Sequence, residues 1–87
     1  MHIEFDSAKD QANIAKHGVS LGEAKSLDRD DALIIEDPRD YGELRYIAYA
    51  ALHGRLHVTV YTMRGDSTRI ISLRKANSRE VKYYGSR

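Results

Sequence analysis

The sequence predicts an α+β fold: two N-terminal helices packed on a four-stranded antiparallel sheet, closed by a C-terminal helix. Three observations predict it. A cap residue and a glycine bracket an alanine stripe near the N-terminus, apolar and polar side chains alternate cleanly through the second half, and a second cap signal stands at Asn77.

The first helix is expected over Ser7 to His17, with Asp6 as N-cap, Phe5 stapling the entry, and Ala8, Ala12 and Ala15 on one stripe beside Ile14. Gly18 can take the left-handed conformation that ends it. Ser20 and Glu23 have the capping-box spacing, which predicts a second short helix to about Leu27 with Leu21, Ala24 and Leu27 buried. Ala32 to Glu36 reads as a strand stopped by Asp37-Pro38, and Leu44 to Leu52 as a second, ended by the turn His53-Gly54. Between Arg55 and Thr62, Leu56, Val58 and Val60 point one way and His57, Thr59 and Tyr61 the other. The apolar set is expected under the leading helices, with the polar set on an open face. After Arg64-Gly65-Asp66, the strand Ser67 to Arg74 breaks alternation at Ile70, Ile71 and Leu73, so either both faces are partly covered or a bulge interrupts it. Asn77 and Glu80 start the closing helix, with Val81 and Tyr84 inward. Ile3 to Phe5 is a candidate for an extra edge strand.

With 87 residues the chain is expected to be one domain, 1–87, with a thin core. It has no cysteine, which excludes disulfides and thiolate metal sites, and no apolar run near the roughly 20 residues that cross a bilayer. The N-terminus lacks the basic and then apolar regions of a secretory signal, so a cytoplasmic location and no membrane contact are expected. A net charge of +1 hides a split. Residues 1–44 carry five bases and eleven acids, residues 45–87 nine bases and two acids, and seven of those nine bases are arginine. Either the second half meets an anionic ligand, for which guanidinium forks suit phosphate, or the two halves neutralise each other.

Motif spacing removes several chemistries. The glycines are scattered singly rather than in a phosphate loop, no HxH spacing occurs, the one HxxxH pair (His53 and His57) flanks a turn, and no serine sits in a G-x-S-x-G elbow. No metal or cofactor is therefore expected. RNA cleavage by the substrate's own 2′-hydroxyl needs only a base, an acid and cations for the developing charge. Candidate proton carriers are His17, Glu36, His57, Tyr61 and Glu80; candidate phosphate clamps are Arg45, Arg64, Arg69, Arg74 and Lys75; Tyr61 and Tyr83 could stack on unpaired bases. Each has a plainer use: His17 as a helix C-terminal cation, Glu80 as a capping-box acid, Glu36 as an arginine partner, and the arginines as a solvated face. Tyr46 and Tyr49 point to opposite faces, which sends at least one of them to the core.

The residues Lys16-His17-Gly18-Val19-Ser20, Glu36-Asp37-Pro38, Arg45-Tyr46, Val60-Tyr61-Thr62 and Arg69-Ile70-Ile71-Ser72-Leu73-Arg74-Lys75-Ala76, followed by Glu80 and Tyr83, resemble the BrnT toxins, over essentially the whole chain. These are ribonuclease components of bacterial type II toxin–antitoxin pairs with a RelE-like fold. The resemblance implies a metal-independent endoribonuclease that blocks translation. It also implies a cognate BrnA-like antitoxin that silences the toxin, with operator DNA bound only through their complex. It points to His17, Glu36, Arg64, Arg74 and Glu80 as catalytic and to Arg45, Tyr61, Arg69, Lys75 and Tyr83 as RNA-binding. The alternative is a non-catalytic module binding RNA or an acidic partner on the same basic face. Both readings expect the guanidinium groups of the last strands to converge on one water-facing concavity.

Overall fold

Residues 2–87 are described by a computed structural model; Met1, the first residue of the expected domain span, lies outside them. The order is β1 (His2–Glu4), α1 (Ser7–His17), a 3₁₀ helix (Leu21–Ser26), β2 (Leu33–Glu36), β3 (Tyr46–Leu52), β4 (Arg55–Arg64), β5 (Ser67–Lys75) and α2 (Ser78–Gly85). Strands β2 to β5 form an antiparallel meander, and β1 pairs in parallel with β5, giving the order β1-β5-β4-β3-β2. The sheet is thus five-stranded and mixed, where four antiparallel strands are expected with Ile3 to Phe5 as a candidate extra edge strand; that edge strand forms one residue earlier, at His2–Glu4, and pairs in parallel. A three-residue strand is too short to carry a periodic signal, and its pairing is set by the free edge of β5. No helix among the described residues is long and apolar enough to cross a membrane.

The second expected helix is a six-residue 3₁₀ segment, so there is one N-terminal α-helix rather than two. Ser20 Oγ accepts the Gly22 N–H, but Glu23 does not close a capping box: its carboxylate lies 3.0 Å from His53 Nε2. Its bonds run over three residues, from Glu23 N–H to the Ser20 carbonyl and from Leu27 N–H to the Ala24 carbonyl, and a segment of two such turns stays in the tighter 3₁₀ form.

Helix α1 begins where Asp6 accepts the Lys9 N–H and ends at Gly18, with φ 73° and its N–H on the Ile14 carbonyl. Its alanine stripe faces solvent, and its one buried residue is Asn13. The reason lies in the sheet edge. β1 covers β5 only from Ser67 to Arg69, and farther along the Asn13 amide stands in for a strand. Asn13 Nδ2 donates to the carbonyls of Leu73 and Val19, each at 2.8 Å, and Oδ1 accepts the Leu73 N–H. Asp10 Oδ1 accepts from Leu21 N and Ser20 Oγ, tying α1 to the 3₁₀ turn. Polar side chains, not an apolar stripe, hold this helix.

The two sheet faces are covered differently from the expectation. Leu52, Ile70 and Leu73 face Leu21 and Ala24 of the 3₁₀ helix, with Ile3, Phe5 and Tyr61 around them. This is the side of β4 that carries His57, Thr59 and Tyr61. Its polar atoms are satisfied internally: Thr59 Oγ1 donates to the Ser72 carbonyl, and His57 Nδ1 donates to the Arg55 carbonyl. The other side groups Tyr49, Val58 and Ala76 with Leu33, Ile35, Ile47, Leu56 and Tyr84, so Leu56 and Val58 lie under the C-terminal helix. A helix therefore sits on each face. The bulky side chains of β5 decide this, because they fall on the polar side of β4 once a register shift between Val60 and Tyr61 leaves Ile71 unpaired. Val81, expected inward, is exposed; α2 turns Tyr83 onto Tyr49 and Tyr84 toward Asp31 instead.

Replacing Asn13 by Ala leaves both backbone groups of Leu73 unpaired in a buried site, an expected cost of about 2–3 kcal/mol. For a chain of this size that lowers the thermal midpoint by roughly 8–24 °C. Urea and thermal unfolding check it; an unchanged midpoint would show that the α1 tether contributes nothing.

Candidate functional site

The β5–α2 corner brings the most chemistry together. Arg74 projects from β5 on the α2 side of the sheet, in register with Val58. Six residues later, α2 presents Glu80 through its own capping box: Asn77 Oδ1 accepts the Glu80 N–H and Glu80 Oε1 accepts the Asn77 N–H, both at 2.9 Å. The cap fixes the glutamate, and the glutamate holds the guanidinium by a two-point contact, Nη1 to Oε1 at 2.8 Å and Nη2 to Oε2 at 2.7 Å. Hydrogen bonds from Arg74 hold the Glu80 carboxyl below the usual carboxylate range, helped by the Asn77 N–H and opposed by burial. In turn, Glu80 raises the Arg74 pKa.

Tyr49, Arg79, Glu80 and Tyr83 line an open recess of about 250 Å³ beside this pair. The Tyr49 and Tyr83 rings are 5.4 Å apart and tilted by 60°. Tyr49 is 9% exposed, and Tyr83 is 50% exposed. Burial first, then the charge of Glu80 and the Tyr83 phenol, push the Tyr49 hydroxyl above the ordinary phenol value, so it stays protonated at neutral pH. At the end of α1, His17 is near enough to feel Arg74. Desolvation, then Lys16, then Arg74 lower its pKa, which keeps the imidazole neutral and able to accept a proton near pH 7.

The other expected residues lie elsewhere. Arg45 and Arg64 share Glu43, at 3.1 and 3.8 Å, and Arg45 also lies 3.9 Å from the Tyr41 ring centre. Arg69 pairs with Glu4 at 2.9 Å. Glu36 is exposed at the end of β2, and Tyr61 stacks on Tyr46 with centroids 5.5 Å apart; both belong to the face opposite Arg74. Lys75 is exposed, pairs in register with His57, and forms no ion pair among the described residues. The guanidinium groups thus do not converge on one concavity. Arg45, Arg64 and Arg69 are each bound to a carboxylate of the first half, as Arg87 is to Asp31 at 2.8 Å, so pairing between the halves takes up four of the nine second-half bases among the described residues. A second cleft, about 150 Å³, opens on the Tyr61 face among Ala24, Ile34, Ala48, Ala50, Met63 and Ile70; its lining is almost wholly apolar and contains no acid or imidazole.

Sequence reasoning missed Tyr49 and Arg79 as recess residues. The capping box at Asn77 carried a usable signal, since it places α2 directly after β5 and brings Glu80 within reach of Arg74. Nothing distinguished Arg79 from an ordinary exposed helix arginine.

A small sheet domain with one partly exposed arginine–glutamate pair beside a tyrosine-lined recess, and a neutral histidine nearby, has the parts to hold a phosphodiester and move a proton. Residues 5–80 match the family described as ribonuclease toxin, BrnT, of type II toxin–antitoxin system, and the chain belongs to that family. A search of curated proteins finds no match. Membership makes this a toxin of the ribonuclease class with an antitoxin partner and an RNA substrate.

Two titrations follow from this electrostatics. Replacing Arg74 by Ala raises the pKa of Glu80 and of His17, both followed by NMR. The sign for stability is fixed by Glu80: its folded pKa is depressed, so its contribution is complete above the unfolded value near 4.5 and is lost as pH falls through the lower folded value. Glu80→Gln removes that part of the acid dependence, and an identical stability–pH curve below pH 5 would contradict it.

Proposed function

We propose that this chain is a metal-independent endoribonuclease that cleaves RNA at the β5–α2 corner and thereby inhibits translation. Its BrnA-like antitoxin neutralises it, and operator DNA is bound only through their complex. The observation that carries the reading is the two-point Arg74–Glu80 pair at the edge of a tyrosine-lined recess, in a chain of the BrnT family.

In this reading the substrate's 2′-hydroxyl attacks the adjacent phosphorus, the bond to the 5′-oxygen breaks, and a 2′,3′-cyclic phosphate remains. Arg74 has donors left beyond the two that Glu80 takes, so it can stabilise charge developing on a non-bridging oxygen without losing its anchor. His17, neutral near pH 7, accepts the 2′-hydroxyl proton, and water supplies the proton that the departing 5′-oxygen takes up as the bond breaks. Glu80, a weak base because its pKa is depressed, orients Arg74. Arg79, without a carboxylate partner among the described residues, adds attraction for the backbone.

A second reading is RNA or partner binding without cleavage, and the prior engagement of Arg45, Arg64 and Arg69 by Glu43 and Glu4 favours it. It predicts salt-sensitive binding with no product.

Incubation of the purified protein with RNA in EDTA separates the two. Cleavage to 2′,3′-cyclic phosphate ends is expected, and Arg74→Ala should slow it by roughly 10²–10³-fold, the usual cost of removing one charge-stabilising donor. A requirement for divalent metal, or an unaltered rate in Arg74→Ala, would overturn the assignment.

A further inference from the structure

Tyr49 is a buried tyrosine whose ring packs in the cluster of Val58 and Ala76, where a phenylalanine would pack as well. Its hydroxyl makes no hydrogen bond to any described residue, and no buried side-chain polar atom there is left without a partner. The hydroxyl is therefore wet, and it borders the recess with Arg79, Glu80 and Tyr83. Buried tyrosine hydroxyls ordinarily find a protein partner. By contrast, Tyr84, also on α2, donates to the Asp31 carbonyl at 2.6 Å. The recess thus holds an unused donor beneath a half-exposed aromatic ring, with a guanidinium on its rim.

That combination matches one nucleotide. An unpaired base has two π faces for a ring such as Tyr83, acceptor atoms on its edges for a donor such as Tyr49, and a phosphate for the neighbouring guanidinium. A paired base offers neither an open face nor a free edge. We propose that the recess lined by Tyr49, Arg79, Glu80 and Tyr83 is a single-nucleotide subsite, in which one unpaired base stacks on the exposed side of Tyr83 and accepts a hydrogen bond from the Tyr49 hydroxyl. Strand flexibility is then part of substrate choice: RNA is recognised next to the scissile phosphate only where a base can leave its stack. The inference rests on the ribonuclease reading and adds the feature of RNA that the same corner selects.

The test measures equilibrium binding of a 2′-O-methyl single-stranded oligonucleotide, which lacks the attacking hydroxyl, beside its duplex form. The wild type should bind the single strand more tightly than the duplex. Tyr83→Ala should weaken single-strand binding by roughly 5- to 150-fold, the range for loss of one base–aromatic stack. Tyr83→Phe should leave it near wild type. Tyr49→Phe keeps the buried ring and should weaken binding by roughly 2- to 10-fold, the worth of one neutral hydrogen bond. Unchanged affinity in both Tyr83→Ala and Tyr49→Phe, or equal affinity for duplex and single strand, overturns the subsite while wild-type cleavage of RNA would still stand. If the wild type neither binds nor cleaves RNA, the ribonuclease reading has failed and the subsite with it.

Discussion

One ion pair organises the C-terminal third of the molecule. Helix α2 has eight residues, and isolated helices shorter than ~12 residues are marginal in water. It persists because its first turn is capped by Asn77 and because the same turn delivers Glu80 to Arg74. Tyr83 on Tyr49, Tyr84 on Asp31, and Arg87 bridging Asp31 and the Tyr84 ring fasten the rest. Because Glu80 is both a cap and a counter-ion, helix formation and placement of the Arg74 guanidinium are one event. The recess exists only while α2 is docked, since Arg79, Glu80 and Tyr83 form three of its four walls and the sheet supplies only Tyr49.

The arrangement of charge follows a similar economy. Nine bases in the second half would repel one another, and the first half supplies carboxylates for four of them: Glu4 to Arg69 across the parallel β1–β5 pair, Glu43 in the loop before β3 to Arg45 and Arg64, and Asp31 to Arg87. These pairs are partly exposed and individually weak, so their main effect is to set positions. Arg74 differs in being answered from its own half, by a residue seated in a helix cap. An anion arriving there meets a guanidinium already oriented, with donors to spare.

Local signals carried much of the architecture into the sequence. Asp6, Gly18 and Asn77 cap or end their helices as their chemistry dictates, and His53-Gly54 and Gly65 turn the meander. What stayed hidden depended on the rest of the fold. The parallel pairing of the candidate N-terminal edge strand has no local signal; Ser20 and Glu23 have capping-box spacing, yet Glu23 turns to His53 and the segment winds as 3₁₀; and the choice of sheet face turned on a register shift opposite Val60 and Tyr61. The buried role of Asn13 is legible only once β5 is known to have a bare edge. In the candidate site, Arg74, Glu80, His17 and Tyr83 were readable from residue type and spacing. Tyr49 was not, because a tyrosine on an apolar face reads as core until the path of its hydroxyl is known. Glu36 and Tyr61 could not be separated from that group without the strand pairing that sends them to the opposite face.

The claim that RNA lies at the β5–α2 corner is tested most directly by mapping amide and side-chain NMR shifts while a non-cleavable single-stranded RNA is added. The account predicts that the largest changes fall on Arg74, Arg79, Glu80 and Tyr83, with Tyr49 beneath them and His17 at the margin. Changes confined to the Tyr41–Arg45 loop and Arg64, or to the apolar cleft around Ala48 and Met63, would contradict it.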